Sequence, residues 1–462
     1  MQNINNDTIV AIATPSGGAI GVLRLSGSKA ISIASSLFQP AGKEKKLSDV
    51  RPNTLHYGML HSVKGEDIDE VIVSVYRTPH SYTGEDSVEI SCHGSSYILE
   101  QTLHAFIDAG ARQARPGEYT QRAYLNGKMD LSKAEAVADL IASTNRATHK
   151  LALSQLKGHF SSRLSMLREQ LLKMTSLIEL ELDFSDHEEL EFANRDELKA
   201  LACTINNHIE SLAHSFKTGQ VLKKGVPVAI VGKTNVGKST LLNQLLHEDK
   251  AIVSDVHGTT RDVIEDTMEI HGVTFRFIDT AGLRSTQDKI ERIGIERAYQ
   301  KLEEAAIVLW VIDQQPTKIE IEKILSHVKD KKIIVVQNKA DLPSSSLSSS
   351  VTPLPSPLLH ISISAKYGQG VRELEELIYS AADIPELNEN SVIVTNARHY
   401  EALTRAQASI SRVIEGLDLG LSGDLLAEDL RSCLEELGEI TGGAITSNEV
   451  LSNIFKHFCI GK

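Results

Sequence analysis

Cysteine is scarce in this chain. Cys92, Cys203, Cys433 and Cys459 are the only four in 462 residues, and they lie far apart. That scatter excludes a disulfide framework and shows no paired metal-ligand pattern, as expected of a reducing cytoplasm. Positive charge is also in deficit. The 48 Lys and Arg against 61 Asp and Glu leave a net charge of −13. Such a balance argues against a generally adhesive nucleic-acid binder, although a local basic patch or a basic partner can still hold RNA. Long apolar runs are missing, so no membrane-spanning segment is expected. The opening residues lack the basic, apolar and small-residue succession of a signal peptide. The 41% of hydrophobic residues is enough for real cores, and the length suits two or three domains.

What is present is a phosphate-binding signature. Residues 232–239 read Gly-Lys-Thr-Asn-Val-Gly-Lys-Ser. The β-branched run Val226 to Val231 before them reads as a buried strand, and Ser239 to Leu246 after them as the start of a helix. In that context the glycines let backbone N–H groups turn toward phosphates, and the helix N-terminus adds positive potential. Lys238 is expected at the β- and γ-phosphates and Ser239 on Mg2+, with Asn235, Val236, Gly237 and Thr240 completing the cradle.

Three more motifs follow in order. Asn338-Lys339-Ala340-Asp341 comes after the apolar run Ile333 to Val336. A carboxylate there can accept hydrogen bonds from guanine N1–H and the exocyclic amine, a donor pair that adenine lacks. Ser364-Ala365-Lys366 follows Leu359 to Ile363 and is placed to support the base. Asp279-Thr280-Ala281-Gly282 ends the run Val273 to Ile278; there Asp279 would hold Mg2+ through water and Gly282 would sense the γ-phosphate. Each motif is weak alone, but four in this order, each after a strand, specify a GTPase.

Leu283 stands where Ras-type enzymes keep a water-orienting Gln, so another group must position the nucleophile. Asn235 either helps to bind a monovalent cation beside the phosphates or braces the loop, and its chemistry alone leaves both open. Ser254 to Asp262 should carry the second Mg2+ ligand, Thr260, and Gly258 allows tight wrapping of backbone carbonyls. A K+ held there would act where an arginine finger otherwise does, a contribution on the order of 10³–10⁵ in rate.

Along the chain, short β-rich runs (Ile9–Ala13, Ile20–Leu25, Val71–Tyr76, Val88–Cys92) and a helix pattern from Tyr97 to Ala109 predict an α+β domain over 1–126. Leu164, Leu167, Leu171, Met174 and Ile178 form one helical stripe, and Leu426, Leu430, Cys433 and Leu437 another. Helices thus flank the GTPase on both sides. The expected architecture is a multidomain α/β chain: a discontinuous helical domain, 127–222 and 385–462, with a Ras-like P-loop GTPase domain, 223–384, inserted. The acidic stretch Glu179 to Glu197 reads as a solvated helix end, and the Ser- and Pro-rich stretch Pro343 to Pro357 as a surface loop.

The chain resembles the tRNA-modifying GTPase family called MnmE or TrmE over essentially its whole length. The resemblance rests on Asp7-Thr8-Ile9-Val10-Ala11, Thr83-Gly84-Glu85-Asp86, Arg115-Pro116-Gly117-Glu118, the Asn-bearing P-loop, Gly258-Thr259-Thr260-Arg261-Asp262, Glu291-Arg292-Ile293-Gly294-Ile295-Glu296 and Cys459-Ile460-Gly461-Lys462. It implies a K+ site at Asn235, Ser254, Val256 and Thr259, and Glu291 in place of the missing Gln. His257 and Thr234 depart from the residues common there without replacing a ligand.

The resemblance further implies that the N-terminal domain dimerises and binds a reduced folate, 5-formyltetrahydrofolate or a relative. The matching positions are Arg24, Glu89, Lys128 and Lys462. An FAD-dependent protein of the MnmG (GidA) family is the implied partner, joining the homodimer in a heterotetramer. The implied product is a carboxymethylaminomethyl or aminomethyl group at C5 of the wobble uridine of tRNA. Cys459, near Lys456 and His457, reads either as a catalytic thiol of lowered pKa or as a small apolar anchor. The competing reading is a GTP-switched ribosome-assembly factor, which shares the GTPase motifs but usually carries a basic RNA-binding module. A mechanical membrane GTPase would need an amphipathic or spanning segment, and none is visible.

Overall fold

The computed structural model describes residues 7–42, 46–183, 194–247, 266–278, 304–328, 331–342, 358–386, 388, 390–443, 451, 454–456, 458 and 461. The chain divides into two compact units. One comprises Met1–Ala142, Leu153–Asn207 and Ala402–Lys462, the other Ser143–Ala152 and His208–Glu401.

The first unit is built on seven strands: β1 (Ile9–Ile12), β2 (Ile20–Ser26), β3 (Phe38–Pro40), β4 (Thr54–His61), β5 (Asp67–Tyr76), β6 (Ser87–His93) and β7 (Arg112–Gln113). Their order in the sheet is β3-β4-β5-β6-β2-β1-β7. All neighbours are antiparallel except β1 and β7. Side chains alternate faces along a strand, so Val71, Val73 and Val75 of β5 are buried while Ile72 between them is 45% exposed. Helices α1 (Ala30–Leu37) and α2 (Ser96–Asp108) share the core with that buried face, through Ile31, Ala34, Leu99 and Phe106. The register sets Arg24 of β2 directly opposite Glu89 of β6.

The helical part of this unit contains α3 (Glu118–Leu125), α4 (Leu131–Ile141), α6 (His159–Asp183) and α12 (Gly423–Thr441). Helix α6 packs along α12. The two stripes expected from sequence are the reason, since Leu164, Leu167, Leu171, Met174 and Ile178 meet burial of Leu426, Leu430, Cys433 and Leu437, none more than 1% exposed. The division between units falls within α5 (Arg146–Leu156), α7 (Arg195–Lys224) and α11 (Ala397–Asp418).

The second unit holds six strands: β8 (Val226–Val231), β9 (Asp266–Ile270), β10 (Val273–Ile278), β11 (Ile307–Ile312), β12 (Lys332–Gln337) and β13 (Leu359–Ser362). Their order is β13-β12-β11-β8-β10-β9, parallel except for the β9–β10 hairpin. A parallel sheet is covered on both faces, which is why β8, β11 and the middle of β12 read as continuous apolar runs. Successive residues sort to opposite cores. Val228 and Ile230 join Leu241 and Leu245 of α8 (Lys238–His247) and Leu374 and Ile378 of α10 (Val371–Ala381). Ala229 joins Val308, Trp310 and Val335, against which Ile321 and Ile324 of α9 (Lys318–His327) pack.

Candidate functional site

Strand β8 delivers the chain into the loop Gly232 to Gly237, and α8 starts at Lys238, one residue before the position expected from sequence. Two glycines are required here. A Cβ on Gly232 would lie 2.2 Å from the Val311 carbonyl, and one on Gly237, at φ +98°, would lie 2.2 Å from Asn338 Nδ2. Asn235 adopts the left-handed region at φ +65° and is exposed at the lip of the loop. Ser239 and Thr240, in the first turn of α8, are exposed as well. The Lys238 ammonium donates to the carbonyls of Gly232 at 2.8 Å and Lys233 at 2.6 Å. Burial holds its pKa below the ordinary lysine value.

The base-reading motif is tied to this loop. Asn338 is buried; its Nδ2 donates to the Val236 carbonyl at 2.8 Å, and its Oδ1 accepts from the Ala365 N–H at 2.9 Å. One side chain therefore joins the phosphate loop, the Asn338–Asp341 turn and the Ser364–Lys366 turn. Fully buried Ser364 donates to Asp341 Oδ1 at 2.6 Å, fixing an exposed carboxylate by one oxygen. Lys339, at φ +64°, places its ammonium 2.8 Å from Asp313 Oδ2. Lys366 lies over the Tyr367 ring at 5.1 Å. Three of the four sequence motifs are thereby brought together. Asp279 to Gly282, the loop with Ser254, Val256, Thr259 and Thr260, and Glu291 lie outside the described residues.

In the first unit, Arg24 directs both Nε, at 2.8 Å, and Nη2, at 2.6 Å, to the same oxygen, Oε1 of Glu89. Among the described residues, Glu89 Oε2 and Arg24 Nη1 take no hydrogen bond, so one acceptor and one donor remain. The guanidinium lies 5.5 Å from the Tyr82 ring centre and 5.7 Å from that of Tyr119. The Tyr119 hydroxyl donates to the Arg24 carbonyl at 2.5 Å, and the Tyr82 hydroxyl hydrogen-bonds Thr120 at 2.9 Å. Lys128 donates to the Pro79 carbonyl at 2.9 Å, and its stem lies against Gly84. Lys462 and Cys459 lie outside the described residues. Gly461 does not: a Cβ there would come within 2.6 Å of the Ile12 carbonyl.

The same unit holds an ionic cluster. Arg122, fully buried, bonds Asp7 at 2.6 Å, Glu118 at 3.1 Å and Glu85 at 3.2 Å, while Arg112 bonds Glu118 at 2.6 Å and Asp7 at 2.7 Å. Burial pushes the Asp7 and Glu118 carboxyls up, but hydrogen bonds and charge from Arg112 and Arg122 outweigh it and hold both below their ordinary values. The cluster explains the Thr83–Asp86 and Arg115–Glu118 motifs as structural. Burial pushes the Cys92 thiol up to about 11 and that of Cys433 to about 12, so neither is poised as a thiolate.

With this geometry in place, the relatives can be compared. The family model described as "MnmE helical domain" matches residues 131–459, and that described as "GTP-binding protein TrmE N-terminus" matches 8–128. The chain belongs to the MnmE (TrmE) family of tRNA modification GTPases. Two curated members are "tRNA modification GTPase MnmE" of Phocaeicola vulgatus, 55% identical over 100% of both chains, and that of Bacteroides thetaiotaomicron, 56% identical over 99% of this chain and 100% of the relative. Among solved structures, the FeoB G-domain from Methanococcus jannaschii is 26% identical over 34% of this chain and 97% of its own, with a TM-score of 0.26. Among the described residues, the chain has no helix long and apolar enough to cross a membrane. Sequence reasoning missed Asp313, Tyr82 and Tyr119, none of which stands in a motif.

Proposed function

We propose that this chain couples GTP hydrolysis, the activity of its family, to modification of the wobble uridine of tRNA. The observation that carries the nucleotide half is Asn338, which links the phosphate loop to both turns of the base site. Asp341, steadied by Ser364, accepts from the guanine edge; Lys238 leaves its loop carbonyls to meet phosphate charge. Ser239 and Thr260 would hold Mg2+, and Asn235 with Ser254, Val256 and Thr259 would hold K+, whose charge offsets that building up on the transferring phosphoryl group. The exposed, left-handed Asn235 on the loop's lip fits that assignment. Glu291 orients the attacking water in place of the missing Gln.

The reduced folate sits at Arg24 and Glu89, where the unused Oε2 can accept from the pterin ring, with Arg24, Lys128 and Lys462 available to its carboxylates. The folate would supply the one-carbon unit. An FAD-dependent MnmG-type partner supplies the redox step, and the chain acts as a homodimer in the cytoplasm.

Hydrolysis measured in K+ and in Na+ tests the first half: K+ should accelerate turnover, and Asn235→Ala should lose that response yet still bind GTP. Equal turnover in the two salts sinks the cation assignment. For the second half, Arg24→Ala should abolish binding of reduced folate, followed by fluorescence, with GTP turnover unchanged.

A further inference from the structure

We propose that Asp313 is a positioning residue for GTP, which holds Lys339 in place before the nucleotide arrives. The inference rests on the reading of residues 338–341 as the base site and adds a residue that no motif contains.

Asp313 follows directly on β11, whose last residue, Ile312, pairs with Gln337 at the end of β12. The Asn338 N–H donates to the Ile312 carbonyl at 2.8 Å, so the parallel register sets Asp313 beside the base-reading turn. Lys339 enters that turn in the left-handed region, at φ +64°. Its ammonium donates to Asp313 Oδ2 at 2.8 Å, with side chains 36% and 30% exposed. Asn338 and Asp341 find their partners inside the other nucleotide motifs; Lys339 takes its partner from outside them. A free lysine would surrender the freedom of a long, flexible stem on binding. A tethered one has already done so.

The sign of the effect separates this role from simple charge. A carboxylate close to a polyanionic nucleotide repels it, so removing that carboxylate should tighten binding if nothing else is at work. Loss of a tether should weaken it. Glu320, in the first turn of α9, the helix that follows Asp313, provides the control. It pairs at 2.5 Å with Lys233, which is 72% exposed and belongs to the phosphate loop rather than the base site.

The test compares Asp313→Asn, Glu320→Gln, Lys339→Met and the double variant Asp313→Asn with Lys339→Met in the full chain. Affinities for GDP and GTP come from titration with fluorescent nucleotide, and kcat and KM from steady-state hydrolysis. Asp313→Asn should weaken both nucleotides by about 3- to 10-fold, the range for a half-exposed charged hydrogen bond. KM should rise while kcat stays near wild type, the Lys339→Met background should cancel the effect, and Glu320→Gln should bind as wild type or tighter. Unchanged or tighter binding in Asp313→Asn overturns the proposal, as does an equal loss in Glu320→Gln or full additivity with Lys339→Met. No loss in Lys339→Met itself would remove the base-site reading, and the tether with it.

Discussion

In the N-terminal unit, Arg122 is sealed from solvent and shared among Asp7, Glu85 and Glu118; in the nucleotide unit, Asp341 and Lys339 keep part of their surface in water and take one recorded partner each. Apart from Arg122 Nε, which is buried without a partner, the first arrangement turns the Arg122 donors onto its own carboxylates and holds a shape. The second keeps capacity in reserve, as a ligand site must. Arg24 and Glu89 belong to the second kind although they sit in the first unit, since two donors crowd one oxygen and leave the other open. Spare capacity, rather than charge, marks the candidate sites.

Breaking the sealed cluster should give the largest effect. Arg122→Ala leaves Glu85 without its guanidinium and Asp7 and Glu118 with Arg112 alone, and removing one member of a buried ionic group costs roughly 3–5 kcal/mol. Urea unfolding should show that loss in the transition of the N-terminal unit, while GTP turnover by the folded protein stays near wild type. An unchanged midpoint would mean that Arg112 alone satisfies the cluster.

The open arrangement should respond mildly in stability and clearly in binding. Ser364→Ala removes the single hydrogen bond steadying Asp341, a loss of about 1 kcal/mol, or roughly 5-fold in GTP affinity. Calorimetric titration of the nucleotide checks it, and affinity equal to wild type would show that Asp341 needs no such support.

The gentlest probe is acid. Asp7 and Glu118 have folded-state pKa values below the ordinary 3.8 and 4.5. Their contribution to stability is therefore complete above those values and is lost as pH falls through them toward the lower folded-state values. Unfolding midpoints followed downward from about pH 5 should decline in wild type and decline less steeply in Arg122→Ala. Parallel curves would mean that Arg122 does not set these pKa values.

The same contrast governs what could be read before the fold was known. Strands β8 and β11 and the middle of β12, Ile333 to Val336, are buried on both faces, so these stretches are apolar throughout, and the motifs at strand ends announce the nucleotide. In contrast, β4 reads Thr-Leu-His-Tyr-Gly-Met-Leu-His, with Leu55 and Tyr57 more than half exposed, and β7 has two residues. Neither leaves a usable pattern. The pairing of Arg24 with Glu89 depends on the β2–β6 register, and that of Lys339 with Asp313 on the β11–β12 register, which no local spacing encodes. The apolar stripes of α6 and α12 were legible, but not that they would meet each other.

Gly461 has one more consequence. It lies against the Ile12 carbonyl of β1, and Phe455 sits over Gly117, where a Cβ would come within 2.8 Å of its carbonyl. These contacts join positions hundreds of residues apart, and the first spans almost the entire chain. Contacts of such long range form late, because chain entropy must be given up before they return anything. The seat for Phe455, at Gly117 and among Leu131 and Ala134 of α4, must therefore stay open until the whole nucleotide unit has been translated.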